Sequence, residues 1–182
     1  MTTSSDEARL VERAQQGDPA AFARIYERHQ PAVYRYVYYR VGDAATAEDL
    51  TGEVFVRVVE KIDRFAYRGR PLLSWLYTIA RNAVIDYQRR AGLTVMLPLD
   101  ERLVAEGEDV EEAAERELTR RRLAAALGHL TEDQRQVILL KFVEEMSNEE
   151  VARTVGKSIG AVKALQHRAL ASLQRVLQRN RR

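Results

Sequence analysis

The stretch from Pro71 to Arg90 constrains the fold of this chain most, because its side chains alternate with the period of an amphipathic helix. Its apolar residues recur at spacings of three and four and share one helix face: Leu72, Leu76, Ile79, Ala83 and Tyr87. The opposite face mixes hydroxyl, amide, carboxylate and guanidinium groups: Ser74, Thr78, Arg81, Asn82, Asp86, Arg89 and Arg90. Such a face suits phosphates and unstacked bases better than a small-molecule pocket. An ordinary solvated helix face is the alternative that this stretch alone leaves open.

Composition narrows the classes of site that the chain can form. There is no cysteine, which excludes disulfides, thiolate metal sites and cysteine nucleophiles and suits a reducing compartment. The three histidines are far apart and none has the spacing of metal ligands, so we expect no zinc site and no cofactor. No apolar run approaches the roughly 20 residues that span a bilayer, and the N-terminus lacks the pattern of a signal peptide. We therefore expect a soluble, cytoplasmic protein with no membrane segment.

Charge divides the chain into blocks although the net charge is only +2. From Met96 to Glu115 there are eight acidic residues and one arginine, whereas the residues after Glu115 carry a net charge of +7. An acidic segment between neutral and basic blocks indicates two modules and a linker. The sequence predicts an all-α chain with small helical domains at residues 7–91 and 116–178. An acidic flexible linker at 92–115 joins them.

Three helices are predicted before the Pro71 stretch, over residues 7–16, 20–41 and 44–62. Pro31 falls inside the second pattern and should kink or interrupt that helix. The third carries a clean apolar stripe, and Asp49 and Glu53 lie one turn apart on its exposed side. These two carboxylates form a small acidic patch, for which a solvated helix face is the simpler explanation.

The segment DRFAYRGRP, which follows the third helix, breaks the helical pattern. It interleaves aromatic rings with Arg64, Arg68 and Arg70, and Tyr67 lies among them. Guanidinium groups neutralise a phosphate backbone and rings stack on bases, so this loop has the composition of a single-stranded nucleic-acid contact.

A helix-turn-helix pattern occupies the C-terminal module. Ser147 and Glu150 have the spacing of a capping box, Gly156 ends the short helix, and Ser158 caps a longer one. The outward start of the longer helix carries small and basic residues that can approach base edges and reach phosphates. These residues are Lys157, Ser158, Gly160, Ala161, Lys163, Ala164, His167 and Arg168. A generic two-helix hairpin is the alternative.

Both modules resemble a known family. The segments GDAATAEDLTGEVFVRVVEKIDRF and PLLSWLYTIARNAVIDYQRR resemble the second domain of sigma-70-type initiation factors. The segment LTEDQRQVILLKFVEEMSNEEVARTVGKSIGAVKALQHRALASL resembles their fourth domain. No counterpart of the third domain lies between them, and this layout is similar to extracytoplasmic-function (ECF) RNA polymerase sigma factors.

The resemblance implies roles by position. Asp49, Glu53 and Arg57 would bind the clamp of core RNA polymerase. The −10 promoter element would be melted and held by residues of the loop and its helix: Arg64, Tyr67, Arg68, Arg70, Arg81, Asn82, Asp86 and Arg89. The eight helix-turn-helix residues named above would contact the −35 element in duplex DNA. The acidic linker would thread towards the polymerase active centre. The expected partners are core polymerase, promoter DNA and an anti-sigma factor, and the chain would not be an enzyme.

Two positions depart from the family pattern, and two other functions stay open. Gly52 stands where the family commonly has Gln, and Leu165 stands where Arg is frequent, although its spacing places it on the packed face. A free-standing dimeric helix-turn-helix regulator would bind duplex DNA tightly without polymerase. A metal-dependent hydrolase or nuclease using Asp49, Glu53 and Asp86 would need convergent carboxylates, which the spacing does not indicate.

Overall fold

The computed structural model of the chain describes residues 2–68, 70–92 and 108–179, with side chains over 5–68, 70–92 and 112–179. Throughout those ranges every regular element is helical. The helices are α1 (Thr2–Gln15), α2 (Pro19–Val41), α3 (Ala44–Lys61), α4 (Leu72–Arg90), α5 (Glu108–Gly128), α6 (Glu132–Ile138), α7 (Asn148–Val155) and α8 (Ile159–Arg179). A 3-10 turn, Ile62–Arg64, extends α3, and a π-helical turn, Leu139–Val143, extends α6. The prediction of an all-α fold is confirmed.

Helices α1 to α4 form the first unit, in which α2 packs against the other three. Two tyrosines, Tyr36 of α2 and Tyr77 of α4, lie at its centre with their ring centroids 5.1 Å apart. Both are fully buried, as are the aliphatic residues around them: Ile25, Val33, Val37, Val54, Val58, Leu72 and Leu76. The predicted apolar stripes of α3 and α4 therefore face one shared core, and Trp75 is only partly buried at its edge.

The polar and glycine residues between α1, α2 and α3 act as helix caps. The carboxylate of Asp18 accepts a hydrogen bond from the amide of Ala20 at 2.9 Å, and Pro19 occupies the first turn of α2. Gly42 ends α2 with φ of 74°, a left-handed conformation that glycine adopts without strain. Asp43 then caps α3 by accepting from the amide of Thr46 at 2.8 Å. These local choices fix where the chain turns.

Pro31 does not interrupt α2, so that part of the prediction is wrong. The helix runs without a break from Pro19 to Val41. Pro31 is exposed, whereas His29 and Val33 on either side of it are buried in the core. Packing of α2 against three neighbours outweighs the loss of one backbone hydrogen bond at the exposed side of the helix.

Helices α5 to α8 form the second unit, whose turns are held by side chains. Thr131 and Gln134 make a capping box at the start of α6. The buried guanidinium of Arg135 donates to the carbonyls of Leu127 and Leu130, both at 3.0 Å. It thus links α6 to carbonyls at the end of α5 and in the turn that follows it.

The expected linker divides into two parts. Residues 93–107 lie outside the described residues. Residues 108–115, the last part of the expected linker, are helical and form the first turns of α5. The helical part of the second unit thus begins at Glu108, within the acidic segment.

The two units pack against each other. Helix α5 lies along α2, and α7 lies against α4. Within the described ranges, no helix is long and apolar enough to cross a membrane.

Candidate nucleic-acid interface

The loop between α3 and α4 is anchored by α1. The side-chain amide of Gln15 donates to the carbonyls of Ile62 at 2.9 Å and of Phe65 at 2.8 Å. The carboxylate of Glu7 accepts from the hydroxyl of Tyr67 at 3.2 Å. These contacts tie Ile62, Phe65 and Tyr67 of the loop region to α1.

Glu7 is buried, and its environment favours the charged form. Its Oε1 lies 3.4 Å from Nε2 of His29. The contact with His29, followed by hydrogen bonds from the Leu72 amide and Tyr67, holds the pKa of the Glu7 carboxyl below its usual value despite the opposing effect of burial. The sequence interpretation missed Glu7 and Gln15. The available signal was that Glu7 shares the α1 face of Val11 and Ala14, where a carboxylate needs a partner.

The aromatic residues of the loop are packed to different depths. Phe65 is buried with its ring centroid 5.0 Å from that of Trp75, and Tyr67 packs edge-on against Phe65 at 6.1 Å. Tyr67 keeps part of its ring at the surface. Arg64 and Arg68 are exposed beside it. The loop thus presents one half-buried ring, with an exposed arginine on each side of it in sequence.

The polar face of α4 is divided between solvent and the second unit. Asn82 and Arg89 are exposed. Arg81 Nε lies 3.2 Å from Glu132 Oε1 of α6. Arg70, at the end of the loop, donates to the backbone carbonyl of Thr154 in α7 at 3.0 Å. Two of the cations predicted to contact the −10 element therefore contact α6 and α7.

The carboxylates of α3 and α4 are joined by Arg57. Its guanidinium pairs with Glu53 at 2.5 Å and reaches Asp86 at 3.4 Å. Arg89 pairs with Asp86 at 3.3 Å, and Arg90 approaches Glu53 at 3.7 Å. The structure thus brings together residues that the sequence interpretation assigned to separate sites. Over the described side chains there is no group of three or more His, Cys, Asp or Glu residues able to hold a metal ion.

The exposed face of α3 also carries apolar residues that the sequence interpretation missed. Val56 is 58% exposed and Val59 is 55% exposed, and both lie on the side of Asp49 and Gly52. The available signal was that they fall outside the apolar stripe of α3, where valine has no core to join. A Cβ at Gly52 would meet nothing within 4 Å, so this face is open.

The helix-turn-helix has the predicted geometry. The Ser147 hydroxyl accepts from the Glu150 amide at 3.2 Å, and the Glu150 carboxylate accepts from the Ser147 amide at 2.7 Å. Gly156 ends α7 with φ of 68°. The Ser158 hydroxyl caps α8 by accepting from the Ala161 amide at 3.1 Å.

The start of α8 presents the predicted residues to solvent. Gly160, Lys163, Ala164, His167 and Arg168 are exposed, as is Ser158, and Ala161 is half-buried. In the part of the chain that the structure describes, Lys163 and Arg168 make no ion pair. Lys157 differs, because its ammonium pairs with Asp133 of α6 at 3.0 Å.

Leu165 lies on the opposite, packed face of α8. It is 9% exposed and shares that face with the fully buried Val162 and Ala169. The inference from spacing that Leu165 packs rather than contacts a base agrees with this position.

An exposed cationic helix in a helix-turn-helix, together with an arginine-rich loop on a second helical unit, defines a helical DNA-binding protein. Residues 25–94 match the family description Sigma-70 region 2, and residues 120–173 match Sigma-70, region 4. The chain belongs to the sigma-70 family, among the ECF RNA polymerase sigma factors.

Two relatives show how far the similarity extends. The chain is 43% identical to the ECF RNA polymerase sigma factor BldN of Streptomyces coelicolor over 180 residues, which covers 95% of this chain and 67% of BldN. It is 36% identical to the ECF RNA polymerase sigma factor SigD of Mycobacterium tuberculosis over 172 residues, which covers 91% of this chain and 81% of SigD.

Solved structures share the fold. CnrH, in complex with the cytosolic domain of CnrY, matches with a TM-score of 0.71 at 28% identity, covering 94% of this chain and 97% of CnrH. The sigma factor RpoE from Bartonella quintana, in complex with the anti-sigma factor NepR, matches with a TM-score of 0.58 at 25% identity, covering 86% of this chain and 96% of RpoE.

Proposed function

We propose that this chain is a transcription initiation factor that binds core RNA polymerase and directs promoter recognition through two DNA surfaces. The second unit contacts the −35 element as a duplex, and the first unit holds the separated strands of the −10 element. The observation that supports this most is that each family region carries an exposed cationic surface: the start of α8 in one, and the α3–α4 loop with α4 in the other.

The −35 contact follows from the chemistry of α8. Gly160, Ala161 and Ala164 have small side chains or none. The backbone of α8 can therefore approach base edges in the major groove. Lys163 and Arg168 flank these small residues and reach phosphates or the acceptor atoms of guanine. Ser158 and His167 complete the exposed surface. Lys157 contributes less to DNA binding, because its ammonium already pairs with the carboxylate of Asp133.

The −10 contact follows from the loop that α1 anchors. Arg64 and Arg68 neutralise the backbone of the single strand, and Tyr67 offers its exposed edge to a base between them. Asn82 provides both a donor and an acceptor on α4, where a displaced base can be hydrogen-bonded. Asp86 orients Arg57 and Arg89 rather than meeting DNA itself, because its carboxylate is paired with both guanidinium groups.

The polymerase contact lies on the outer face of α3. Asp49, Glu53 and Arg57 supply charge, and the exposed pair Val56 and Val59 supplies apolar area beside them. A small apolar centre with a polar rim is the usual composition of a protein–protein interface.

The proposed role needs no catalytic group, since binding energy drives strand separation. The carboxylates that a metal-dependent nuclease would use are instead neutralised by Arg57, which lies between Glu53 and Asp86. The free-standing regulator is not favoured, because the chain carries the region 2 family match in addition to its helix-turn-helix. The proposal places the chain in the cytoplasm with core polymerase and promoter DNA as partners. An anti-sigma factor is a further partner, as NepR is for RpoE.

Replacement of Arg81 and Asn82 by alanine tests the −10 assignment. We expect promoter opening, followed by permanganate reactivity of unpaired thymines, to fall while binding to core polymerase persists. Arg122→Ala is the matched control, because Arg122 is an exposed arginine on α5 outside both DNA surfaces. Equal loss of opening and core binding would show that the helix is structural. Failure of the wild-type chain to bind core polymerase would refute the proposed function as a whole.

A further inference from the structure

A groove lined by arginines lies between α1 and α2, apart from the two proposed DNA surfaces. These helices are joined by a short turn and pack against each other as a hairpin. The groove has a volume of about 350 Å³ and is lined by Asp6, Arg9, Leu10, Arg13, Arg24 and Arg28. Binding sites for small molecules occupy roughly 300–1,000 Å³, so the α1–α2 groove has room for a small ligand.

The spacing of the arginines places two on each wall of the groove. Arg9 and Arg13 are four residues apart on α1, and Arg24 and Arg28 are four residues apart on α2. Residues at this spacing share one face of a helix, and like charges there repel each other. All four side chains are exposed, so core packing does not account for their position. The hairpin thus concentrates positive potential in one cleft.

Most of this charge has no partner within the part of the chain that the structure describes. Arg13 is the exception, because its Nε and Nη2 donate to Oδ2 of Asp18 at 2.8 and 2.6 Å. Arg9, Arg24 and Arg28 make no ion pair with any described residue. Their guanidinium groups are therefore available to an anion from solution.

Asp18 orders the remaining cation. Its Oδ1 accepts from the amide of Ala20 at 2.9 Å, so the same carboxylate caps α2 and pairs with Arg13. The guanidinium of Arg13 is thereby tied to the start of α2, and its Nη1 keeps its donor capacity. A side chain that is ordered before binding costs less entropy when a ligand arrives.

The α1–α2 groove and the −10 loop lie on different sides of α1. Gln15 donates to carbonyls at Ile62 and Phe65, next to the loop. Arg13 stands two residues earlier on the helix, so its side chain leaves α1 in nearly the opposite direction. A ligand in the groove would therefore leave the proposed −10 contacts uncovered.

The lining favours linked phosphates. Guanidinium groups bind phosphate oxygens through paired hydrogen bonds and stay charged at any working pH. Cations on both walls suit an anion whose charges are spread along a chain. The described lining contains no aromatic side chain, so the groove offers no ring on which a base could stack. The phosphate chain of a ligand, and not an attached base, is the part that these residues would recognise.

We propose that the α1–α2 groove is a binding site for an oligophosphate anion, with linked phosphates bridging Arg9 of α1 to Arg24 and Arg28 of α2. Arg13 supplies a fourth cation through Nη1, and Asp6 places one opposing charge on the lining. A ligand that bridges both helices stabilises the folded hairpin by mass action. This site goes beyond the proposed function and does not depend on it.

Calorimetric titration of the full chain with tripolyphosphate tests the proposal. Two unit charges at contact distance in water account for about tenfold in affinity, so Arg24→Gln with Arg28→Gln should weaken binding by about that factor. The matched control is Arg120→Gln with Arg122→Gln, which removes the same charge from exposed positions of α5. Equal binding by the wild type and the Arg24–Arg28 variant, or an equal loss in the control, would overturn the proposal.

A variant with the opposite effect guards against loss of folding as an explanation. Asp6→Asn removes the acidic group of the described lining at an exposed position and should tighten tripolyphosphate binding about threefold. Glu60→Gln is the control, because Glu60 is an exposed glutamate on α3 and does not line the groove. A gain no larger than that of the control would overturn the assignment of the ligand to this groove.

Three further ligands define what is recognised. Adenosine triphosphate should bind as tightly as tripolyphosphate if the chain alone is the ligand, and tighter binding that still requires Arg24 and Arg28 would identify a nucleotide as its source. Inorganic phosphate should bind about tenfold more weakly, and equal binding would overturn the requirement for linked phosphates. Binding of a DNA duplex through Arg24 and Arg28, without binding of tripolyphosphate, would overturn the proposal in favour of a DNA surface. Failure of the wild-type chain to direct transcription would refute the proposed function but would leave these titrations valid.

Discussion

Replacement of Leu165 by alanine separates packing from base recognition in α8. Leu165 is 9% exposed and lies in line with the fully buried Val162 and Ala169, so its truncation leaves a cavity under the helix. Burial at the edge of the unit indicates the lower part of the range for Leu→Ala, a loss of about 2–3 kcal/mol in the free energy of unfolding. We expect no change in which −35 bases are preferred, because the side chain does not reach the DNA side.

Urea unfolding of the full chain, followed by circular dichroism, measures the loss. Lys163→Ala is the matched control, since Lys163 is exposed on the opposite side of the same helix. We expect it to leave stability within about 0.5 kcal/mol. With one phosphate contact removed, the slope of log affinity against log salt for −35 DNA should fall by about 1.

Selection of −35 sequences by polymerase reconstituted with each variant measures base preference. The reasoning would be refuted if Leu165→Ala unfolded like the wild type and also changed the preferred bases. That result would place Leu165 on the DNA side of α8, as the arginine frequent at this position in the family would be.

Other changes test single features of the fold. Ser147→Ala removes the acceptor of the Glu150 amide and should lower the free energy of unfolding by about 1 kcal/mol in urea, and an unchanged midpoint would show that the capping box is dispensable. Gly52→Ala adds a Cβ that meets nothing within 4 Å and should raise stability by up to about 1 kcal/mol, whereas a lower melting temperature would contradict the helical conformation there. The pKa of Glu7 is lowered from 4.5, so its stabilising contribution should be present above that pH and lost as pH falls through the folded pKa. Glu7→Gln should therefore lower the free energy of unfolding at neutral pH and weaken its dependence on pH in the acid range. Parallel pH profiles of the wild type and the variant would exclude this role.

The helices and their caps could be predicted because the forces that form them are local. The stripe of α4 falls on one face whatever the rest of the chain does, and Ser147 caps α7 through a neighbour three residues away. Pro31 shows the limit of this reasoning. Its cost to α2 is local, but the packing that outweighs it comes from α1, α3 and α4.

The pairing of the two units could not be predicted, because its partners are far apart in sequence. Arg40 and Glu132 are separated by 92 positions, and neither falls in a pattern that distinguishes a buried charge from a solvated one. Arg81 could be assigned to a polar face of α4, but periodicity does not determine what that face contacts. The family resemblance located the surface without indicating that Glu132 lies on it.

The chemistry of Arg40 and Glu132 explains how such a contact can be specific while contributing little net stability. Removal of both charges from water offsets much of their attraction, so a buried pair contributes little net stability compared with apolar residues of similar volume. Mismatched packing, however, would leave Arg40 buried without a carboxylate, which is strongly unfavourable. The pair therefore contributes more to the register in which α6 meets α2 and α4 than to net stability.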